Sequence, residues 1–485
     1  MPSPSEHLER AWAPSRALEE VLTSWLATQR WFAAKGRAIA SVRIADAAWL
    51  RAPGPTTDAW VLVEVALVGD QPQRYAIWLG VRGRADAATT LTRSGLDDDA
   101  VIAEVAVGGA GVLSLLATGE SVPTLAGGRL LATDRDAAAA RLVSTSPAVR
   151  AIGADQSNTS LRVGDRLVLK LLRRVQPGEN PELEVLRCLA MRTSFTEMAA
   201  PRGAVSYIDA GQVVHTIALL QDWVENEADG WKYVVARLEA QLATPGAWPS
   251  WAADMDALGR ATARFHRASA AATGEPAFGA AAVPPAEIRA WQEGLAQRAS
   301  AARELLTRAP SDALDTAAIG AHLALVAAGG GPVPSSSGTG ALVGIRVHGD
   351  YHLGQTLKTT AGFILIDFEG EPARTLEERR RRYPALKDVA GMLRSFDYAM
   401  AVASGSTPAA AERLRAELPL DRAFLDAYLD EAAGADLMPA APGPRDRWLR
   451  FFLIDKAVYE LEYELNNRPA WAAIPARAIA RLVGG

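Results

Sequence analysis

The sequence predicts an α+β protein in which a strand-rich half precedes a helical half. Three observations carry this reading. Up to about residue 222 apolar and polar side chains alternate in short runs; from Trp223 onward long Ala/Leu/Arg stretches have helical spacing; and one acid-rich segment, "VHGDYHLGQTLKTTAGFILIDFEGEP" (347–372), lies inside the helical half. Strands followed by helices favour a segregated α+β architecture over an alternating α/β one. At 485 residues the chain is long for one domain, and these changes of character divide it at 1–92, 93–222 and 223–485.

Taken in order, residues 15–30 place Leu18, Val21, Leu22, Trp25 and Leu26 at helical spacing, and "RWFAAKGR" (30–37) closes that helix. "ASVRIADAAWL", "DAWVLVEVALVG" and "RYAIWLGV" then read as strands of a small antiparallel sheet. A second strand-rich block holds "VRAIGADQSNTSLRVGDRLVLKLLRRV" and "QVVHTIALLQDWVE", interrupted by a helix over 180–192. In the first of these, strands near Val149–Ala151 and Leu167–Leu171 are joined by a small polar turn. Helices such as "DMDALGRATARFHRASA" follow, and a Gly/Ser/Pro-rich loop at 327–341 precedes the acidic segment.

Bulk composition narrows the classes. Hydrophobic residues make up 49% and charged residues 22%, as in ordinary globular proteins. The net charge of −5 and scattered Lys and Arg leave no electrostatic footprint for a nucleic-acid partner. "EERRRRY" (377–383) reads as a solvated helix face. Cys188, the single cysteine, reads as a helix core position. The first residues show no basic segment leading into an apolar one, and no apolar run approaches the ~18 residues of a membrane span. The expectation is a soluble, cytoplasmic protein with no membrane partner.

Chemistry concentrates in three places. Ser157, Asn158, Thr159 and Ser160 offer hydroxyl, amide and backbone N–H donors that suit phosphate oxygens. Lys170, within "LVLKLL", is costly to bury on a strand without an anion, unless it snorkels to water. Glu182 and Glu184, early in the following helix, can each pair with it. In the acidic segment Asp350 can accept a proton from a hydroxyl, while Gln355 and Asp367 supply oxygen ligands of the kind Mg²⁺ prefers. His348 suits bracing of that loop, and His266 an interhelix role. Near the C-terminus Lys456, Tyr459, Glu460 and Tyr463 fall at i, i+3, i+4 and i+7, a helix face too polar for a plain core stripe and suited to a sugar. Arg394 and Asp397 are weaker candidates for the sugar, because "RSFDYA" also suits interhelix packing.

The segment "HGDYHLGQ…DFE" resembles the catalytic and metal-binding loops of the aminoglycoside-phosphotransferase and protein-kinase-like superfamily, with Gln355 where most relatives have Asn. "RWFAAKGR", "QSNTS", "PGENPELE", "DFEGEPARTLEERRRR", "DVAGMLRSFDYA" and "DKAVYELEYELNNRPAW" more closely resemble actinobacterial maltokinases. The resemblance implies a bilobal protein-kinase-like fold: an N-terminal cap subdomain, an intermediate nucleotide-binding subdomain and a helical C-lobe. It implies ATP and Mg²⁺, with backbone near Gln221 and Trp223 meeting adenine and Lys170 binding phosphates while held by Glu184. Asp350 would be the base, Gln355 and Asp367 the metal ligands, and Glu369 would reach a second ion or the sugar. His352 would donate to a sugar hydroxyl. The implied reaction is phosphorylation of maltose at its anomeric hydroxyl, feeding α-glucan (glycogen) synthesis, with trehalose synthase as a partner. A kinase for glucosamine or an aminoglycoside is the alternative. A catalytically dead nucleotide-binding scaffold is a third reading, which intact Lys170, Asp350 and Asp367 disfavour.

Overall fold

Leu18, Leu22 and Leu26 recur every fourth residue along helix α1 (Arg16–Leu26), and all three are buried at 2% exposure or less. Such a stripe needs an apolar partner, and it finds one in a five-stranded sheet. The structure, a computed structural model, describes residues 16–34, 36–51, 57–83, 90–93, 100–104, 109–145, 147–153, 158–308, 314–329, 342–372, 374–405 and 407–484. The chain forms two compact units, one of 1–184 with 199–224 and one of 185–198 with 225–485.

The first unit is strand-rich. Strands β1 (Ile39–Arg51), β2 (Thr57–Leu67), β3 (Gln73–Gly83), β4 (Thr90–Arg93) and β5 (Ala100–Glu104) form a sheet of order β1-β2-β3-β5-β4. Side chains on a strand alternate between faces. Val61, Val63 and Val65 of β2 therefore join the core around α1, while Trp60 and Leu62 join a second core. A strand buried on both faces is why "AWVLVEVAL" is nearly all apolar.

That second core is shared with helix α2 (Ala110–Thr118), helix α3 (Ala137–Ser144) and a seven-stranded sheet. The sheet contains β6 (Ser121–Pro123), β7 (Arg129–Thr133), β8 (Val149–Ala151), β9 (Asn158–Val163), β10 (Leu167–Leu172), β11 (Pro201–Ile208) and β12 (Val214–Asp222), in the order β6-β7-β11-β12-β10-β9-β8. Buried Asp46 fastens the two sheets: it accepts from Thr124 Oγ1 at 2.6 Å, Tyr207 Oη at 2.7 Å and Ala126 N at 2.8 Å. Here the structure corrects one sequence expectation. Asn158, Thr159 and Ser160 are not in a turn but on β9, paired with Leu172, Leu171 and Lys170 of β10. The chain reverses instead at Gly164–Arg166, where Gly164 takes a φ of 58°. Only glycine enters that left-handed region without strain.

The second unit is mainly helical. Helix α4 (Pro181–Arg192), whose residues up to Glu184 belong to the first unit, holds Cys188 buried. Helices α5 (Gly230–Ala243), α6 (Trp251–Ala271), α7 (Pro285–Arg308) and α8 (Thr316–Ala327), with the short strands β13 (Ala228–Asp229) and β14 (Ala281–Ala282), precede the acidic segment. After it come α9 (Leu376–Arg380), α10 (Leu386–Ala403), α11 (Pro408–Glu417), α12 (Leu420–Glu431), α13 (Pro442–Asn467) and α14 (Ala473–Gly484). Gly259 lets α6 approach α12 closely, since a Cβ there would stand 2.4 Å from Phe424 O. The acidic segment itself forms β15 (Val343–Arg346), a 3₁₀ turn (Leu353–Gln355) and a hairpin of β16 (Thr356–Thr359) with β17 (Gly362–Leu365). Of the loop at 327–341, residues 330–341 lie outside the described residues.

The sequence's division into strands first and helices second is thus the architecture of the chain. Among the described residues, no helix is long and apolar enough to cross a membrane.

Candidate active site

In the first unit the site is built around one lysine. Lys170 on β10 stands opposite Leu219 of β12, and Val168 opposite Gln221. Lys170 and Gln221 therefore share a face of the sheet. Asn180 caps the start of α4, accepting from Glu182 N at 2.8 Å, and its own N–H is held at 2.9 Å by Thr216 Oγ1 of β12. This fixes the helix's first turn over that face. Glu182 Oε2 then meets Lys170 Nζ at 2.7 Å, and its Oε1 accepts from Gln221 Nε2 at 3.1 Å. Glu182 is 2% exposed. A buried carboxylate engaged at both oxygens holds its cation in one place, which a surface ion pair does not.

The expectation that Glu184 pairs with Lys170 is corrected by this geometry: the partner is Glu182. Residues two apart on a helix are turned by about 200°, so one of the two acids faces β10. Gln221 also has a role that the sequence did not suggest, as the second support of Glu182. Trp223 lies with the guanidinium of Arg162 4.3 Å above its ring, and its N–H donates to Arg166 O at 2.7 Å. Thr159 Oγ1 accepts from Arg173 Nε and Nη2 at 2.9 and 2.8 Å, and Asn158 Oδ1 from Arg173 N at 3.4 Å. Ser157 lies outside the described residues.

In the second unit the loop "HGD" leaves β15 and is anchored by Asp388 of α10, the first residue of "DVAGMLRSFDYA", to which the sequence assigned no role. Asp388 accepts from His348 N at 2.7 Å and Gly349 N at 3.0 Å. His266 Nε2 lies 3.1 Å from the same carboxylate, and its Nδ1 2.9 Å from Tyr428 Oη. Burial pushes the Asp388 carboxyl up, but His266, His348 and the Gly349 N–H outweigh it and hold it below the usual range. His348 Nε2 donates to Ile366 O at 2.9 Å, bracing the loop against the hairpin.

Gln355 and Asp367 sit at the two ends of that hairpin, where Ile366 N donates to Gln355 O at 3.0 Å. Asp367 has a φ of 64°. For a non-glycine residue that conformation costs of order 1–3 kcal/mol, and it recurs at functional sites. Gly349 and Gly370, both at positive φ, pack together so that a Cβ on Gly349 would lie 3.3 Å from Gly370 Cα. The "HGD" loop and the "DFEG" turn therefore touch through two glycines.

Lys456 of α13 reaches the same place, its Nζ 3.5 Å from Asp350 Oδ1 and 3.6 Å from Glu371 Oε1. Burial opposes the lysine's charge, but Asp350, Glu371 and Glu460 outweigh it and raise its pKa. Glu371 is squeezed the other way. Burial would raise it, yet Lys387, Lys456 and Arg374 hold it at about 2. Beside them opens a cavity lined by four basic side chains (Arg298, Arg374, Lys387, Lys456) and three carboxylates (Glu371, Asp388, Asp455), together with Tyr351, Phe452 and Tyr459.

The predicted acceptor face divides on this evidence of position. Lys456 and Tyr459 line the cavity, the ammonium 5.1 Å from the tyrosine ring. Glu460 turns to Arg394, whose Nε and Nη2 reach it at 2.9 and 2.7 Å. Arg394 is 1% exposed and also binds Asp397, so it ties α10 to α13. Tyr463 is 45% exposed, with Arg468 over its ring at 5.4 Å. His352 Nδ1 accepts from Gly354 N at 3.0 Å, which leaves Nε2 as the donor of the neutral ring. Burial lowers its pKa. Glu369 is half-buried, and its carbonyl accepts from Arg379 Nη1 at 3.1 Å.

A strand-borne lysine with its buried glutamate in the first unit, and a loop-borne carboxylate with an acid-bearing hairpin in the second, are the kinds of group that phosphoryl transfer uses. Residues 148–428 match the phosphotransferase enzyme family (APH), and the chain belongs to it. Residues 25–115 match a second family, the maltokinase N-terminal cap domain. The chain is 29% identical over 347 residues to a glucosamine kinase of Mycolicibacterium smegmatis (strain ATCC 700084 / mc(2)155), covering 70% of this chain and 80% of that one. It is likewise 29% identical over 343 residues to a glucosamine kinase of Streptacidiphilus jiangxiensis, covering 69% and 73%. A glucosamine kinase structure in complex with glucosamine, ADP and inorganic phosphate shares the fold, with a TM-score of 0.63 at 23% identity over 96% of this chain and 98% of that one.

Proposed function

We propose that this phosphotransferase is an ATP-dependent sugar kinase whose acceptor is a neutral sugar, maltose, converted to maltose 1-phosphate. One observation carries the choice of acceptor: Lys456, whose charge the neighbouring carboxylates sustain, stands 3.5 Å from Asp350. An ammonium-bearing acceptor would meet like charge there, which costs binding. Hydroxyls suit the site, since lysine donates to them and Tyr459 offers an aromatic wall. The match of residues 25–115 to the maltokinase cap supports the same reading.

In this account Asp350 accepts the proton of the anomeric hydroxyl as that oxygen bonds to the γ-phosphorus and the bond to ADP breaks. Lys170, held by Glu182, which Gln221 supports in turn, is a fixed cation for nucleotide phosphates. Oxygen donors suit Mg²⁺, and Gln355 and Asp367 bring an amide oxygen and a carboxylate to the ends of one hairpin. The ion, when bound, neutralises charge on the phosphoryl oxygens. Catalysis rests mainly on position and charge. Such an enzyme would work in the cytoplasm on maltose from a trehalose synthase and would feed α-glucan synthesis.

A second reading, phosphorylation of glucosamine, is favoured by the two relatives of that name. ADP release measured with Mg²⁺ and maltose, glucose, trehalose, glucosamine or an aminoglycoside separates them. Maltose-dependent release, reduced about a hundredfold or more in Asp350→Ala, is expected; release with glucosamine and not maltose would replace the first reading with the second.

A further inference from the structure

The strand that carries Lys170 does not end with the seven-stranded sheet. Its continuation, Arg173–Val175, runs alongside β3 of the N-terminal five-stranded sheet: Ala76 N donates to Arg173 O at 2.8 Å, Val175 N to Arg74 O at 2.9 Å, and Tyr75 bridges Arg174. Arg173 lies three residues from Lys170 and is 1% exposed. Its guanidinium carbon stands 4.7 Å from the ring of Trp31, the tryptophan of "RWFAAKGR". Two of its nitrogens fork onto Thr159 Oγ1, and its N–H donates to Asn158 Oδ1. Thr159 and Ser160 in turn pair with Leu171 and Lys170.

One side chain therefore joins three parts of the unit: the N-terminal sheet through Trp31, the beginning of β9 through Thr159, and the lysine strand through its own backbone. Trp31 is itself fixed, with Tyr75 at 5.9 Å and Trp25 at 5.7 Å between ring centroids. A planar guanidinium stacked on a ring and forked onto one oxygen has a single orientation, which a lysine ammonium would not share. Arginine at this buried position thus touches both the ring of Trp31 and the strand pair bearing Lys170.

We propose that the N-terminal cap is a positioning element for the nucleotide, acting through Trp31 and Arg173 on β9 and β10. Arg173 is a positioning residue rather than a catalytic one. The proposal rests on the kinase reading above, insofar as Lys170 meets nucleotide phosphates. It makes the cap a determinant of nucleotide affinity and leaves acceptor affinity to the second unit.

The test titrates the full chain with ADP and Mg²⁺ by calorimetry, with no sugar present. Arg173→Lys keeps the charge and loses the fork; Trp31→Leu keeps apolar bulk and loses the ring face; Trp31→Phe restores a ring face. The expected result is a Kd for ADP raised about tenfold in the first two variants and within threefold of wild type in Trp31→Phe, with the KM for the sugar unchanged. Arg173→Lys and Trp31→Leu that are folded by circular dichroism and bind ADP as wild type does would overturn the proposal. Should Trp31→Leu fail to fold, Arg173→Lys alone decides by the same criterion. A wild-type chain that does not bind ADP would instead sink the kinase reading, and this proposal with it.

Discussion

Lys456 Nζ stands 3.5 Å from Asp350 Oδ1, so the base of the proposed reaction shares its surroundings with a permanent cation. The two come from different elements, the loop after β15 and the middle of α13. The relationship suits an acceptor that brings hydroxyls rather than an ammonium group.

Replacing that cation tests the point. Lys456→Met should lower kcat/KM for a neutral sugar by about tenfold or more, the size of one lost charged hydrogen bond, and should raise the ratio of glucosamine to neutral-sugar turnover. Initial rates with both sugars give the ratio. An unchanged ratio would remove Lys456 from acceptor selection.

The Lys170 pair makes a paired prediction. Glu182→Gln removes the charge partner of Lys170 while preserving shape, and should reduce kcat/KM for ATP by one to two orders of magnitude, as loss of a buried ion pair's partner does. Glu184→Gln should have the smaller effect. Equal losses, or a larger loss at Glu184, would contradict the geometry.

Asp388 predicts a stability effect tied to activity. Its carboxylate accepts from two backbone N–H groups of the "HGD" loop and from His266. Asp388→Asn presents an amide N–H where an acceptor is needed, and should cost about 2–4 kcal/mol in urea unfolding. The folded fraction should also turn over more slowly. Unfolding at the wild-type midpoint would show that Asp388 does not anchor the loop.

Glu371 predicts a pH dependence. Its pKa lies at about 2 against an ordinary 4.5. A depressed carboxyl contributes stability that is present above its unfolded pKa and is lost as pH falls toward its folded pKa. The stability gap between wild type and Glu371→Gln should therefore be largest above pH 4.5 and shrink between there and pH 2. At full size the linkage is on the order of 3 kcal/mol. A gap constant across that range, in denaturant titrations at several pH values, would contradict the placement of Lys387, Lys456 and Arg374 around Glu371.

What was legible in the sequence follows from how far apart the partners lie. Asp350, Gln355 and Asp367 share one short segment, so residue type and spacing alone single them out as candidates. The short apolar run "AWVLVEVAL" and the helical spacing of Leu18, Leu22 and Leu26 likewise announced their elements, because burial demands apolar side chains. The choice between Glu182 and Glu184 was not legible, since it depends on how the cap at Asn180 turns the helix. The β9 strand hid behind the polar composition of "QSNTS", although Gly164 marked the true reversal. Asp388 lies 40 residues from His348 and 122 from His266. No local pattern records a contact at that separation.

The central claim, phosphoryl transfer to the anomeric hydroxyl of maltose, is tested most directly by phosphorus NMR of the product formed from ATP, Mg²⁺ and maltose. The account predicts a new phosphomonoester signal split by the anomeric proton, absent with Asp350→Ala. A signal coupled to other sugar protons, or a phosphate ester formed from glucosamine alone, would contradict it.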